Sequence, residues 1–440
     1  MASSTLRCLP GDIPPTTLLS LPDEMLEEIL LCLSDAADLV RASMARVSIR
    51  RLVTNHRFLR CFRTRYPPSL LGIVSPHPHR PRWDLPLLQL AQPPHPSAAA
   101  ASAFSGLDAT DFSCAFLPNA ARWRRRDLRD GRVLLSGVPE GTKYNCHVFV
   151  RELAVCDPLS RRYILLPPIP DDLAAALVQP PDVLRFEPFL APPAAEDEEG
   201  MSFRVICLVQ CKTKLLLIIF SSGSGAEQWR AVTFDNWISL LTGSGNQQAS
   251  YRRSPIRHYA DGYFCWVLFR ASKLLMLDTR SMSFSVVDLP HGTSEAQVAI
   301  LEAENGRIKM FLNEHFTPEL RYYVLQNDGV GANQWLSEAT FNLPVNNGGY
   351  MFMGVAGGYL LLQGIGEDEY TFHLVSLNLK TLELEWFLAS KRNNKGAHLF
   401  AGFPPSLSPP TIRHGDLPLY LHTCTLHSIG LCDTNILCRY

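Results

Sequence analysis

No C-x-x-C pair occurs among the twelve cysteines, so neither a paired zinc knuckle nor a dithiol redox site can be written from them. An excess of one charge is also missing. The chain carries 41 basic and 42 acidic side chains and a formal net charge of −1, which argues against a polyanionic partner or an anionic membrane surface. The most lipid-like run, residues 215–220, is far too short to span a bilayer. The first residues, MASSTLRCLPGDIPP, lack the apolar core of a signal peptide. There is no G-x-S-x-G elbow, no G-x-x-x-x-G-K-[ST] phosphate loop and no H-E-x-x-H helix. The Gly/Ser turns at 222–225 and 243–245 have no helical pattern behind them to hold a phosphate. Catalytic residues, a cofactor and a metal are therefore not expected. Without a secretory signal, the cysteines read as reduced, mostly buried thiols, and the compartment as cytosol or nucleus. What is present is the composition of a folded protein: 440 residues, 46% hydrophobic and 19% charged, with room for two or three domains.

Residues 21–52, LPDEMLEEILLCLSDAADLVRASMARVSIRRL, carry the clearest local signal. Pro22 suits a first helical turn, and Asp23 and Glu24 place negative charge at the positive end of the helix dipole. Leu26, Ile29, Leu30 and Leu33 then fall on one apolar stripe. Ser34 and Asp35 break the pattern and can cap a second short helix carrying Leu39, Val40 and Met44. A third carries Ile49, Leu52 and Val53, and a fourth, over 55–66, places Phe58, Leu59 and Phe62 on one face before Pro67 and Pro68 stop it. Helices this short do not hold alone in water, so their apolar stripes need the rest of the chain or a partner.

This run resembles the F-box, the module that docks F-box proteins onto the Skp-type adaptor of SCF ubiquitin ligases. The residues that carry the resemblance are Leu21-Pro22-Asp23-Glu24, Ile29-Leu30, Leu33, Asp38-Leu39 and Arg50-Arg51-Leu52-Val53. Ile49 stands where the family generally has an aromatic, and Arg46 where a cysteine is frequent. The resemblance implies an adaptor-binding set of Leu21, Pro22, Leu26, Ile29, Leu30, Leu33, Leu39 and Val40. Some of these must pack inside the module instead of touching the partner, and sequence does not sort them.

Residues 67–103 are rich in proline and end in an alanine run. They read as a stiff, irregular linker, with one helical turn at 85–90. Beyond it the period turns strand-like. One repeated pattern is an apolar strand, an Asp or Asn opening a polar turn, and a second strand; it recurs at Asp157, Asp278 and Asn378. A second is Gly-Ala-Glu-Gln-Trp229, which returns as Gly-Ala-Asn-Gln-Trp335. The two alternate at roughly the 40–50-residue period of propeller blades. A lone four-stranded sheet cannot cover both its faces, whereas radially stacked sheets cover one another. The expected architecture is α plus all-β, a small helical module followed by a β-propeller of about six blades.

The strand region in turn resembles the kelch-like, F-box-associated propeller of plant F-box proteins, in the form common in grasses. Val155-Cys156-Asp157-Pro158-Leu159-Ser160-Arg161-Arg162, Trp123 with Arg129-Asp130-Gly131-Arg132, and Pro404-Pro405-Ser406-Leu407 carry it. The implied organisation is an F-box module at 18–66, a linker at 67–103, the propeller at 104–410 and an irregular tail at 411–440. The implied function is the substrate-recognition subunit of an SCF-type ubiquitin-protein ligase, a non-catalytic adaptor. The F-box would bind the Skp adaptor and through it a cullin, and the propeller an unidentified target protein, with neither nucleic acid nor membrane as partner. The alternative is a propeller binding protein whose degenerate helical end recruits no ligase. Three other features read as structural. His422, Cys424, His427, Cys432 and Cys438 lack zinc-ligand spacing. The basic run 122–126 is read as a blade-edge strand, and the acidic run 196–199 as a solvated loop.

Overall fold

The computed structural model describes residues 21–75, 87–105, 111–138, 149–173, 183–193, 201–222, 228–235, 237, 257–268, 272–293, 296–302, 307–314, 317–327, 333–344, 349–366, 371–391, 393–404 and 407–412. It opens with the helices α1 (Asp23–Leu30), α2 (Ala36–Ala45), α3 (Val47–Val53) and α4 (His56–Arg65). Side chains close two of their N-termini: Asp35 Oδ1 accepts from the Ala37 N–H at 2.8 Å, and Asn55 Oδ1 from the Arg57 N–H at 2.8 Å. Leu30, Leu39, Ile49, Val53, Phe58, Leu59 and Phe62 form the module's core. Ile49 fills that interior without an aromatic ring. Phe403 and Leu407, from the far end of the chain, complete the same core.

The strands build six blades around a channel. Two strands that precede the others in the chain, β1 (Ser69–Val74) and β2 (Leu88–Leu90), belong to the last blade. Blade I is β3 (Trp123–Arg129), β4 (Arg132–Gly137), β5 (Leu153–Asp157) and β6 (Arg162–Leu165). Blade II is β7 (Val183–Ala191), β8 (Arg204–Cys211), β9 (Lys214–Ser221) and β10 (Arg230–Asp235). Blade III is β11 (Arg257–Ala260), β12 (Tyr263–Leu268), β13 (Lys273–Asp278) and β14 (Ser283–Asp288). Blade IV is β15 (Gln297–Glu302), β16 (Ile308–Asn313), β17 (Glu319–Asn327) and β18 (Asn333–Asn342). Blade V is β19 (Tyr350–Ala356), β20 (Tyr359–Ile365), β21 (Phe372–Asn378) and β22 (Leu384–Ser390). In each, successive strands pair antiparallel from the channel outward. Blade VI closes the ring: β23 (His398–Gly402) lies innermost and pairs with β1, which pairs with β2.

Strand alternation explains why the sheets stack. In β8, Val205, Cys207, Val209 and Cys211 enter the core shared with blade I, while Ile206 and Leu208 enter the core shared with blade III. In β9, Leu216, Ile218 and Phe220 take the first side and Leu215, Leu217 and Ile219 the second. The near-continuous apolar runs are therefore strands buried on both faces, and the run at 215–220 is one of them. Cys207 and Cys211 share a face as their spacing predicts.

The repeated sequence patterns mark equivalent places. Asp157, Asp278 and Asn378 each end the third strand of a blade and accept from the backbone N–H groups two and three residues on, at 2.8–3.4 Å. Arg161, Met282 and Leu382 then take φ of 52°, 53° and 61° before the outer strand returns. Trp229 and Trp335 lie at the outer strands of blades II and IV. Their indole N–H groups donate to the Pro167 and Asp288 carbonyls of the preceding blade, at 2.7 and 2.9 Å. One such marker falls in each of blades I to V.

Two expectations are corrected. The segment 67–103 is not a linker: it holds β1, β2 and the helix α5 (Ala98–Ser105), and the turn expected at 85–90 contains β2. The propeller therefore begins at Ser69, because the inner partner of β1 is β23, far along the chain, which local reading of a proline-rich stretch does not show. The expected tail also starts with two anchored residues. The Thr411 N–H and hydroxyl donate to Asp157 Oδ2 at 2.7 and 2.9 Å, and Ile412 is buried between blades I and II.

Candidate functional site

Two surfaces stand out, the outside of the helical module and the channel. On the module, the structure sorts the eight sequence-derived residues. Leu26, Leu30 and Leu39 are buried, with Leu30 and Leu39 in the core. Leu21, Leu33 and Val40 are half-buried, and Pro22 and Ile29 are exposed. Eight large apolar side chains are exposed among the described residues, and half of them are here: Met25 (51%), Ile29 (40%), Met44 (80%) and Val47 (67%). Met25 and Ile29 lie one turn apart on α1, and Met44 and Val47 flank the α2–α3 junction at Arg46. Met25, Met44 and Val47 are absent from the sequence-derived set. Met44, read from the sequence as one of the apolar residues of the second helix, points out. The Met25–Ile29 spacing was the available signal.

The module sits where the first strand of each blade ends. Those ends carry the Asp130-Gly131, Asp261-Gly262 and Gly357-Gly358 turns, all six residues at positive φ. Gly357 is required on a second count: a Cβ there would lie 2.3 Å from the Leu70 nitrogen. Beside them, Arg63 of α4 donates to the Leu407 carbonyl at 2.9 Å and stacks on Phe403. Arg63 also lines the channel, as do Thr411 and Phe403. The helices are thus set at one mouth of the ring, on the face that also carries the hairpins between third and fourth strands, where the Thr279 hydroxyl donates to the Gly262 carbonyl at 2.7 Å.

The channel encloses about 1530 Å³ and is lined by the inner strands of all six blades. Its charged centre joins three of them. Arg257 of β11 reaches Asp127 of β3 at 2.7 Å and Glu187 of β7 at 2.6 Å. Arg185 holds the second Glu187 oxygen at 2.9 Å, and the Trp266 indole N–H donates to it at 3.1 Å. The remaining Asp127 oxygen accepts from the Leu190 N–H at 2.8 Å. Both acids are thereby compensated inside the ring, as buried charges must be. Further round, His258 Nδ1 accepts from the Ile300 N–H at 3.4 Å and Gln297 Oε1 from the Phe352 N–H at 2.7 Å. Inner-strand side chains therefore clasp each blade to the next. The basic run 122–126 lies on this inner edge. Arg125 is buried and donates to the Ser75 and Phe112 carbonyls, Arg122 pairs with Glu152, and Arg126 donates to Ser136.

Burial sets the protonation of this interior. It lowers His258 to about 4, and Arg257 beside it acts in the same direction. Burial likewise lowers His398, on β23, to about 4, with Asp127 opposing. Tyr259 is raised by burial against the pull of Arg129. These groups keep the imidazoles neutral and the phenol protonated near pH 7, so the interior offers hydrogen bonds and fixed arginine charge. Among the described residues, no group of three or more His, Cys, Asp or Glu is placed to hold a metal, and no helix is long and apolar enough to cross a membrane. The histidines and cysteines at 422–438 and the acidic run at 196–199 lie outside the described residues.

No known family model matches the chain. No curated protein matches it either. Solved structures similar to it include a post-proline cleaving enzyme from Rickettsia typhi, at 10% identity and a TM-score of 0.34, covering 62% of this chain and 36% of that one. An oligogalacturonate lyase in complex with manganese gives 11% identity and 0.31, covering 57% of this chain and 61% of the lyase. Apo AztD from Citrobacter koseri gives 11% and 0.27, covering 64% and 62%. This chain thus spans about a third of the Rickettsia enzyme's length. Likenesses this distant carry no argument about activity.

Proposed function

We propose that this chain is the substrate-recognition subunit of an SCF-type ubiquitin-protein ligase, a plant F-box protein with a kelch-like propeller. The helical module binds a Skp-type adaptor and through it a cullin, and the propeller binds a target protein. The chain breaks no bond itself. It raises the concentration of the target near the charged ubiquitin carrier. The observation that supports this reading is the placement of Met25, Ile29, Met44 and Val47: among the described residues, half of the exposed large apolar side chains sit on the short run that resembles an F-box. An exposed apolar set of this kind is what a partner covers.

Co-expression with a Skp-type adaptor tests it. The wild-type chain should form a soluble stoichiometric complex. Met25→Asp with Ile29→Asp should abolish capture while leaving the melting temperature within about 2 °C, because both side chains are exposed and neither belongs to the module's core. Leu30→Asp is the wrong probe, since it puts a carboxylate into the module core. Undiminished capture by the double variant would sink the proposal. One observation favours the second reading, a helical end that only caps the ring: Phe403 and Leu407 complete the module's core. That reading requires a soluble monomer that ignores the adaptor.

A further inference from the structure

Arg129 closes β3 at the mouth of the channel and is half-buried there. Its guanidinium, from blade I, lies 4.0 Å from the ring centre of Tyr259 and 5.3 Å from that of Phe264, both of blade III. Stacking fixes the plane of the group and leaves its edge free. The five N–H donors of an arginine lie in that plane, and among the described residues no acceptor meets them. The other channel arginines are occupied: Arg257 by Asp127 and Glu187, Arg126 by Ser136, and Arg63 by the Leu407 carbonyl. A preformed, oriented and unanswered fork thus faces a cavity of about 1530 Å³, more than a small fragment needs and enough for a peptide segment.

We propose that the channel binds the carboxylate of a peptide, either an acidic side chain or a chain terminus, with Arg129 as its bidentate partner. The charge of the lining selects a carboxylate over a phosphate. Five basic and four acidic side chains border the cavity, so the surplus is a single positive charge. A dianion would add a second negative charge near Asp127 and Glu187, whose own needs are already met. Tyr259 and Phe264 supply an apolar wall beside the fork, which strengthens a charge-assisted bond by excluding water. This deepens the target-binding half of the proposed function and is independent of adaptor capture.

The test uses the purified full chain and four dye-labelled Gly/Ala hexapeptides, followed by fluorescence anisotropy. One has a free C-terminal carboxylate, one a C-terminal amide, one the amide with a single internal Asp, and one the amide with phosphoserine at that position. At least one carboxylate peptide should bind about tenfold or more tighter than the neutral amide. Comparing the two carboxylate peptides separates terminus from side chain. Arg129→Gln should erase the preference, and Arg129→Lys should retain only part of it, because an ammonium lacks the fork. Equal binding of all peptides by the wild type, no binding of any, tighter binding of the phosphoserine peptide, or a preference that survives Arg129→Gln overturns the assignment. The peptide comparison on the wild type stands even if a variant fails to fold. No adaptor is present, so failure here leaves the ligase reading to its own experiment.

Discussion

Acid should destabilise this protein through the imidazoles that burial keeps neutral, His95, His258 and His398, and the first two set the test. His95, between β2 and α5, accepts from the Ser97 N–H with Nδ1 and faces Ser376 at 3.0 Å with Nε2. His258 accepts from Ile300 in the same way. Burial lowers both to about 4 in the fold, against 6.5 when exposed. Above pH 6.5 neither state holds the extra proton, and the stability is fully present; as pH falls toward 4, the unfolded chain takes protons that the fold refuses. At pH 5 the linkage amounts to about 2 kcal/mol for His258. His95 counts for about half of that, since Glu385 stands 3.5 Å from it and would steady an imidazolium. These two together lose about 3 kcal/mol between pH 7.5 and 5, a large share of a typical 5–15 kcal/mol, and His398 adds to it in the same direction. Urea titrations at half-unit pH steps measure it. His95→Asn with His258→Asn keeps an acceptor near each Nδ1 position but removes the titration, so its curve should be flatter by about that amount. A wild-type stability flat from pH 7.5 to 5, or a double variant with an unchanged slope, refutes the reasoning.

Arg257→Met should cost about 3–5 kcal/mol in chemical denaturation, because it strands Asp127 and weakens the hold on Glu187. Asp278→Ala should cost about 1 kcal/mol, the loss of one turn-closing acceptor. Asp157→Ala should cost roughly twice that, since its second oxygen also anchors Thr411; differential scanning calorimetry on the pair shows whether the difference exists. Gly357→Ala should lower stability by more than about 2 kcal/mol in the same assay, combining positive φ with a clash against the β1 backbone.

Local chemistry was readable where one element decides its own fate. The Asp and Asn hairpins announced the third and fourth strands of blades I, III and V, and the two Gly-Ala-x-Gln-Trp runs announced the outer strands of II and IV. The sixth blade was hidden because β1 is stabilised by β23 at the other end of the chain, and prolines around it imitate a linker. On the module, the buried and exposed members of one stripe are told apart only by what α3, α4 and Phe403 cover, so Leu30 and Ile29 look alike in sequence. The channel left no trace for a related reason: Asp127, Glu187 and Arg257 come from three blades and meet only once the ring is formed.

That residues 398–407 supply both the clasp of the ring, through β23, and the floor beneath the opening helices, through Phe403 and Leu407, has a bearing on synthesis. Until His398 to Leu407 has left the ribosome, β1 has no inner neighbour and the core of the helices lacks Phe403 and Leu407. A chain cut short anywhere upstream would then carry an open ring and an incomplete helical core together. The two ends of the molecule would mature as one event, so that neither the ring nor the helical module is finished before the other.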